Sequence, residues 1–372
     1  MGWLVFELSG SAFDLGVLGA ATALPAIILT IAGGVIADRF EKRAVLIVTT
    51  ALNVVLLCVL AVLEFSGVVT VWHIWLIASA ISIVSGVDWP TRQSFFPHLI
   101  EKPALLSAVA LNSVLWQSTR MVLPALGGVM LAWLQAGYVF MLAALGYSIM
   151  LWVIFGIRLH LPGSVTQSVL EQTREGVRFI LQTPLFRNLI LLSYATMFFL
   201  SAYMQLMPAF AVLFEAGPAG FGVLMSATGV GSITGTAIAG GFKVGRHYGN
   251  VMLFAALVGT VFLFAFAATA LLPNYGLGLA VVMLAAAATS VFLIFSTTAL
   301  QSQVPDELRG RVMGIHGITY SLMPMGALLT GSLAQPLGTA QALMVSLTIY
   351  VCLLMFLGFG KKSIRDLSAP TD

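Results

Sequence analysis

Charged residues are scarce in this chain. Only 8% of its 372 residues are Asp, Glu, Lys or Arg, whereas about a quarter is usual for a soluble domain. Hydrophobic residues make up 59%. So few charges cannot cover a water-soluble surface, so we expect an all-α integral membrane protein. The net charge of +3 is spread over short loops and gives no basis for binding nucleic acid.

Motifs for several chemical activities are also missing from the sequence. Cysteine occurs only as Cys58 and Cys352, both within apolar runs, so neither a disulfide framework nor a metal site is expected. The sequence contains no Gly-x-x-x-x-Gly-Lys-Ser/Thr loop, which argues against ATP as the energy source. It also has no His-Glu-x-x-His motif. We therefore predict neither an enzyme nor a cofactor.

Long apolar runs fill most of the chain. A helix needs about 20 residues to cross a hydrocarbon core at 1.5 Å per residue. Residues 1–8 are too few, and we read them as the last two turns of a first helix that starts upstream in intact relatives. The eleven full spans have these approximate limits: 15–37, 44–63, 71–96, 105–133, 138–157, 188–213, 219–241, 251–272, 276–301, 312–334 and 338–360.

Basic residues fall on one side of this arrangement. With the spans alternating in direction, all but one of the 17 Lys and Arg residues lie in loops on the same side, Arg120 being the exception. Because cytoplasmic loops are rich in Lys and Arg, this side is predicted to be cytoplasmic. We therefore expect a multi-pass protein of the inner (plasma) membrane, with its C-terminus in the cytoplasm.

The spans divide into two groups of six. The longest loop on the basic side, 158–187, contains a polar helical pattern and predicts a linker along the inner face. The predicted units are a bundle at 1–157, the linker at 158–187, a bundle at 188–360 and a tail at 361–372. Gly33-Gly34 and Arg39 recur as Gly240-Gly241 and Arg246, which indicates a parallel repeat. Two repeated bundles that hold a substrate between them are typical of transporters.

Residues 34–43 resemble the signature between the second and third helices of the major facilitator superfamily. The matching residues are Gly34, Asp38, Arg39, Lys42 and Arg43. Glu41 stands where that family usually has Gly. Residues 88–93 and 304–312 resemble the exporter branch that includes enterobactin exporters and macrolide efflux proteins. The resemblance covers nearly the whole chain and implies two six-helix bundles that export a small molecule.

Charges near the basic side are candidates for a gate. A carboxylate at position 38 can accept hydrogen bonds from the free amides at a helix start. Arg39 or Arg43 can pair with Asp88, and such contacts would break when the basic side opens. The alternatives are that these charges only solvate the loop, or that Asp88 is protonated and acts as a coupling site. The predicted gating residues are Gly34, Asp38, Arg39, Arg43, Asp88, Arg92, Arg309 and Arg311.

A second group of residues is predicted to face a central cavity or to couple transport to protons. Arg120 is the basic residue inside a span, where such a residue is usually functional or pairs with backbone carbonyls. Residues 124–128 are similar to a fifth-helix motif of antiporter branches, although Leu123 replaces the usual Gly. The full set is Glu7, Asn112, Gln117, Arg120, Pro124, Gly127, Gly128, Tyr194, Tyr203, Gln205 and Tyr320.

These features predict a secondary transporter that exports an amphipathic small molecule by alternating access. Protons are the expected coupling ion, the lipid bilayer is the environment, and the protein is expected to act as a monomer. An importer or uniporter of a small polar nutrient remains an alternative. So does a truncated membrane protein that transports nothing.

Overall fold

The computed structural model describes residues 1–101, 104–157, 169–241, 248–272, 274–365 and 367. Nearly all of them are helical, and no strand occurs within these ranges. The predicted all-α class is therefore confirmed. Nine helices in the described part of the chain are long and apolar enough to cross a membrane, by length and composition.

The N-terminal half, defined here as residues 1–157, contains six helices. A 3₁₀ turn at Phe96–Leu99 follows the fourth. The helices are α1 (Gly2–Ser9), α2 (Ala12–Arg39), α3 (Lys42–Phe65), α4 (Val71–Phe95), α5 (Leu105–Trp133) and α6 (Ala136–Gly156).

The linker helix, α7 (Val169–Gln182), precedes the C-terminal half, defined here as residues 184–365. The remaining helices are α8 (Pro184–Ala195), α9 (Met207–Leu213), α10 (Gly217–Gly241), α11 (Tyr248–Leu271), α12 (Tyr275–Gln303), α13 (Asp306–Gly317), α14 (Thr319–Leu337), α15 (Thr339–Leu353) and α16 (Lys362–Arg365). The division of the chain at residues 158–187 stays a prediction, and part of it falls outside the described residues.

Two spans predicted as single helices are interrupted. Between α8 and α9 the chain forms a π-helical segment at Thr196–Leu200 and a 3₁₀ turn at Ser201–Met204. Pro208 lies at the start of α9, where its missing amide hydrogen costs no helical hydrogen bond. Between α13 and α14, the Thr319 hydroxyl donates to the His316 carbonyl and competes with the backbone.

Turns between helices use the residue types that such turns need. Gly10, which follows α1, and Gly338, which lies between α14 and α15, have φ of +63° and +87°, values that favour glycine. Asn274 caps α12, because the amide of Leu277 donates to its Oδ1 at 3.0 Å.

Close packing in the bilayer relies on small residues, because lipid chains are as apolar as leucine and drive no helices together. A Cβ added to Gly231 of α10 would lie 2.1 Å from the carbonyl oxygen of Met283 in α12. One turn further along α10, a Cβ on Gly235 would lie 2.1 Å from the carbonyl oxygen of Ala287. The glycine pair at 231 and 235 thus lets the two helix backbones touch.

Candidate functional site

The N-terminal and C-terminal halves touch at the ends of their helices that lie away from the basic loops. There α2 runs against α14 without intervening side chains. A Cβ on Gly16 would lie 2.6 Å from Cα of Leu328, and one on Gly331 would lie 2.5 Å from the carbonyl oxygen of Ala12. Neither glycine can be replaced without moving the two helices apart.

A second pair of helices, α5 and α10, makes the same kind of contact. A Cβ on Gly128 would lie 2.6 Å from Cα of Gly222, and one on Gly222 would lie 2.4 Å from the carbonyl oxygen of Pro124. Pro124 and Gly128, predicted as cavity residues, thus form part of the contact between the halves. Gly127, in contrast, has open space where a Cβ would point.

We call this region the glycine-packed end, defined by Gly16, Gly128, Gly222 and Gly331. The opposite region, which carries the described Lys and Arg residues of the loops, is the basic end. Trp3 of α1 also reaches across the halves at the glycine-packed end, with its ring centroid 5.8 Å from that of Phe221.

At the basic end, α3 and α4 enclose a charged pair. The carboxylate of Asp88 accepts hydrogen bonds from Nε of Arg92 at one oxygen and from Nη2 at the other, the latter at 3.0 Å. Thr49 also donates to Asp88, at 2.6 Å. Nη2 of Arg92 donates to Thr50 at 2.9 Å. The two charged side chains are 12% and 26% exposed, so the pair is largely buried.

The hydrogen bonds of this cluster satisfy the carboxylate of Asp88, which lies inside a predicted span. Asp88 and Arg92 are four residues apart on α4, a spacing that brings the two side chains together. An ionised carboxylate inside a span needs such a partner. Thr49 and Thr50, which the sequence analysis did not single out, supply hydroxyls from α3. Two adjacent threonines in a mainly apolar stretch of α3 are the signal that could have found them.

Arg43 contacts a different helix from the one predicted. Its Nη2 donates to the carbonyl oxygen of Phe155 at 3.0 Å, and its Nε donates to that of Ile154 at 3.4 Å. These carbonyls belong to the last turn of α6, where backbone acceptors lack helical partners and favour a cation. In this structure Arg43 thus fixes α3 to α6 instead of pairing with Asp88.

Two more of the predicted arginines, Arg309 and Arg311, lie in α13. Arg311 pairs with Glu175 of the linker helix. The linker helix also approaches closely there, since a Cβ on Gly176 would lie 3.0 Å from Cδ1 of Ile315. Nε of Arg309 donates to the carbonyl oxygen of Gln301, near the end of α12. The two arginines therefore join α13 to its neighbours in the C-terminal half and to the linker.

The predicted cavity residues do not form a single group. Tyr203 is buried and packs on Phe266 with ring centroids 6.2 Å apart, so it belongs to the core of the C-terminal half. The hydroxyl of Tyr194 donates to the carbonyl oxygen of Ile315 at 2.7 Å. Gln205 is half-buried, while Glu7 and Tyr320 are exposed.

Asn112 lines a cavity at the basic end of the N-terminal half, together with Arg92. Several other predicted residues have positions on helices, but their side chains lie outside the described residues. These are Asp38 and Arg39 at the end of α2, next to Gly34, and Gln117 and Arg120 in α5.

Comparison with known proteins identifies the family. A family model described as "transmembrane secretion effector" matches residues 1–366. The chain is 24% identical to the staphyloferrin A transporter of Staphylococcus aureus, an alignment that covers 98% of this chain and 92% of that protein. It is 26% identical to the multidrug efflux pump Tap of Mycolicibacterium fortuitum, over 98% and 91%. It is also 26% identical to the enterobactin exporter EntS of Citrobacter koseri, over 94% and 84%.

Solved structures share the fold at low sequence identity. A bacterial homologue of the human lysosomal transporter Spinster, in an inward-facing and unoccupied conformation, superposes with a TM-score of 0.73 at 12% identity, covering 99% of this chain and 93% of that one. A bacterial homologue of the iron transporter ferroportin, in an inward-facing state, gives 0.72 at 13% identity, covering 96% and 94%.

These matches confirm the predicted architecture of two helical bundles, while the count of eleven full spans stays a prediction. The chain belongs to the transmembrane secretion effector family and is a membrane transporter of the major facilitator type.

Proposed function

We propose that this transporter exports an amphipathic small molecule by alternating access, and that proton entry drives the export. The names of the relatives support outward transport, since one relative is an efflux pump and another is an exporter. Those names describe siderophores in two cases and drugs in a third. The class of substrate proposed here is therefore a small molecule with both apolar and polar parts.

The observation that carries the proposal is the buried pair of Asp88 with Arg92. While Asp88 is ionised, it holds the guanidinium of Arg92 against α3 through Thr50. A proton on Asp88 removes the charge that Arg92 neutralises, so the hydrogen bonds of the cluster must rearrange. Asn53, one turn along α3, is buried, and among the described residues its Oδ1 has no hydrogen-bond partner, so it offers a spare acceptor. The proton would thus change how α3 packs on α4.

Alternating access needs two arrangements of the halves that exclude each other. The glycine-packed end supports one of them, in which that end is shut by direct backbone contact. If the basic end is cytoplasmic, as the distribution of Lys and Arg predicts, this arrangement is closed to the outside. It would then accept its substrate from the cell, which is the starting state that an exporter requires.

Expression of the protein in a host that lacks its own efflux pumps tests the proposal. A panel of dyes and siderophores would be assayed for accumulation, with and without a protonophore. We expect lower accumulation in cells that express the protein, and we expect the protonophore to abolish the difference. Asp88→Asn should abolish it too, because a neutral amide cannot exchange a proton. Glu101→Gln is the matched control, since Glu101 is an exposed carboxylate at the basic end.

Three outcomes would contradict parts of this proposal. Higher accumulation in expressing cells would indicate an importer or uniporter. Export that continues with a protonophore, or in the Asp88→Asn variant, would remove proton coupling at Asp88. A protein that inserts and folds but changes the accumulation of no compound would support a membrane protein that does not transport.

A further inference from the structure

A cavity of about 350 Å³ opens at the basic end of the N-terminal half, where the ends of α4 and α6 meet α5. Its described lining residues all belong to this half, and none of them is among the residues of the glycine-packed end. Its walls are mainly apolar and include Trp89, Phe96 and Ile154. Trp89 and Leu99 line it and are 49% and 46% exposed, so part of its lining is open to the surroundings.

Arg92 is the charged residue among the described residues that line this cavity. A guanidinium has five N–H donors and requires acceptors for them. Nε and Nη2 of Arg92 donate to the oxygens of Asp88 and Thr50. Within the described part of the chain, the hydrogen-bond acceptor of Nη1 is the sulfur of Met150, which also lines the cavity. Sulfur is a weak acceptor, so the Nη1 edge of this cation lacks a strong one.

We propose that this cavity binds the anionic headgroup of a phospholipid from the leaflet at the basic end. A phosphate oxygen of the lipid accepts hydrogen bonds from Nη1 of Arg92. The amide groups of Asn112 and Gln93, which line the same cavity, offer further donors. This site goes beyond the proposed export function. It shares Arg92 with the pair that carries that proposal, so its test reads lipid binding and includes a variant, Leu99→Trp, that leaves Arg92 and Asp88 unchanged.

The position and shape of the cavity favour a lipid over a soluble anion. The lining residues of α4 and α6 lie in the last two turns of these helices at the basic end, which is the part of each span nearest to the headgroups. Ligand pockets for whole molecules span about 300–1,000 Å³. The volume found here is at the low end of that range, enough for a headgroup but not for two acyl chains. The apolar walls and the exposed Trp89 let those chains continue into the bilayer. An anion-binding guanidinium in an apolar crevice thus suits an amphiphile.

Native mass spectrometry of the full-length protein in detergent tests this site. The protein would be titrated with phosphatidylglycerol and, separately, with phosphatidylcholine of the same acyl chains. We expect one phosphatidylglycerol to bind with a dissociation constant about tenfold lower than that of phosphatidylcholine, because only the first carries a net negative charge. An excess of inorganic phosphate should not displace it.

Two variants address the site and one serves as a control. Arg92→Gln removes the cation, and Leu99→Trp adds volume at a lining position of the cavity while Arg92 and Asp88 keep their identities. Each should raise the dissociation constant for phosphatidylglycerol about tenfold. Arg187→Gln removes one exposed positive charge at the start of α8 and should bind as the wild type does.

Leu99→Trp keeps the test decisive if Arg92→Gln fails to fold. Equal binding of the two lipids would overturn the proposal. So would unchanged phosphatidylglycerol binding in Leu99→Trp, or displacement of the lipid by inorganic phosphate. None of these outcomes bears on transport, so the lipid site and the export function stand or fall separately.

Discussion

The two ends of the molecule are built from different contacts. At the glycine-packed end, backbone lies on backbone, as between Gly128 and Gly222, and the contact contains no charge. At the basic end, charged side chains make the contacts, as in the pair of Asp88 with Arg92 and that of Arg311 with Glu175. The first kind of contact depends on shape, whereas the second depends on charge.

This difference indicates how each end can open. Separating two glycine surfaces forfeits dispersion contacts of about 0.1–0.2 kcal/mol per atom pair, and it leaves no polar group unpaired. The ion pairs of the basic end lie within α4 and between α13 and the linker helix, and their strength responds to protonation and salt. Under the proposed export mechanism, a proton would therefore act at the basic end, whereas shape would decide the contact at the glycine-packed end.

The largest effect is expected from adding volume at the glycine-packed end. Gly128→Val should lower the rate of export at least tenfold, because its Cβ would lie 2.6 Å from Cα of Gly222. Overpacking of this kind costs about 1–3 kcal/mol and would hold α5 and α10 apart. Gly146→Val in α6 is the matched control, since no atom lies within 4 Å of its added Cβ. Initial rates in proteoliposomes measure the effect. Equal rates for the two variants would show that the close contact is not needed.

A hydroxyl at each end gives a second, smaller test. Thr49→Val removes a donor to the carboxylate of Asp88, and Thr330→Val removes a hydroxyl that pairs with Ser346 at 2.8 Å. A hydrogen bond to a charged group contributes about 1.5–3 kcal/mol, and a neutral one about 0.5–1.5 kcal/mol. Thermal unfolding followed by tryptophan fluorescence should therefore show the larger loss of stability for Thr49→Val. A larger loss for Thr330→Val would reverse the distinction between the ends.

The sequence predicted where each helix begins and ends better than it predicted which side of each helix faces which neighbour. Charges and turns mark helix ends, so α3, α5 and α10 begin and end within three residues of their predicted limits. The orientation of each helix about its own axis was harder to predict, because helices such as α6 and α11 are apolar on all sides and have no distinct polar face. Tyr203 was therefore expected in a cavity, although it packs on Phe266 in a core.

The candidate site shows the same limit. The spacing of Asp88 and Arg92 is enough to predict their pair, since residues four apart share a helix face. The partner of Arg43 was not predictable, because any helix end nearby offers free carbonyls and only the packing of α3 on α6 selects one. The breaks after α8 and α13 arise from local hydrogen bonding that no long apolar run reveals.

The smallest expected effect concerns the linker helix. Glu175 and Arg311 pair at the basic end, but their side chains are 61% and 28% exposed. Water and salt screen such a pair, which contributes about 0–1 kcal/mol. Glu175→Gln should therefore change the export rate less than twofold at physiological salt and somewhat more at low salt. The double variant Glu175→Arg with Arg311→Glu should restore the wild-type rate, since the pair is re-formed with its signs exchanged. If Glu175→Gln instead reduced export as strongly as Gly128→Val, the linker would be part of the gate itself. The contrast between a shape-dependent end and a charge-dependent end would then have to include α7 as a third element that holds the halves together.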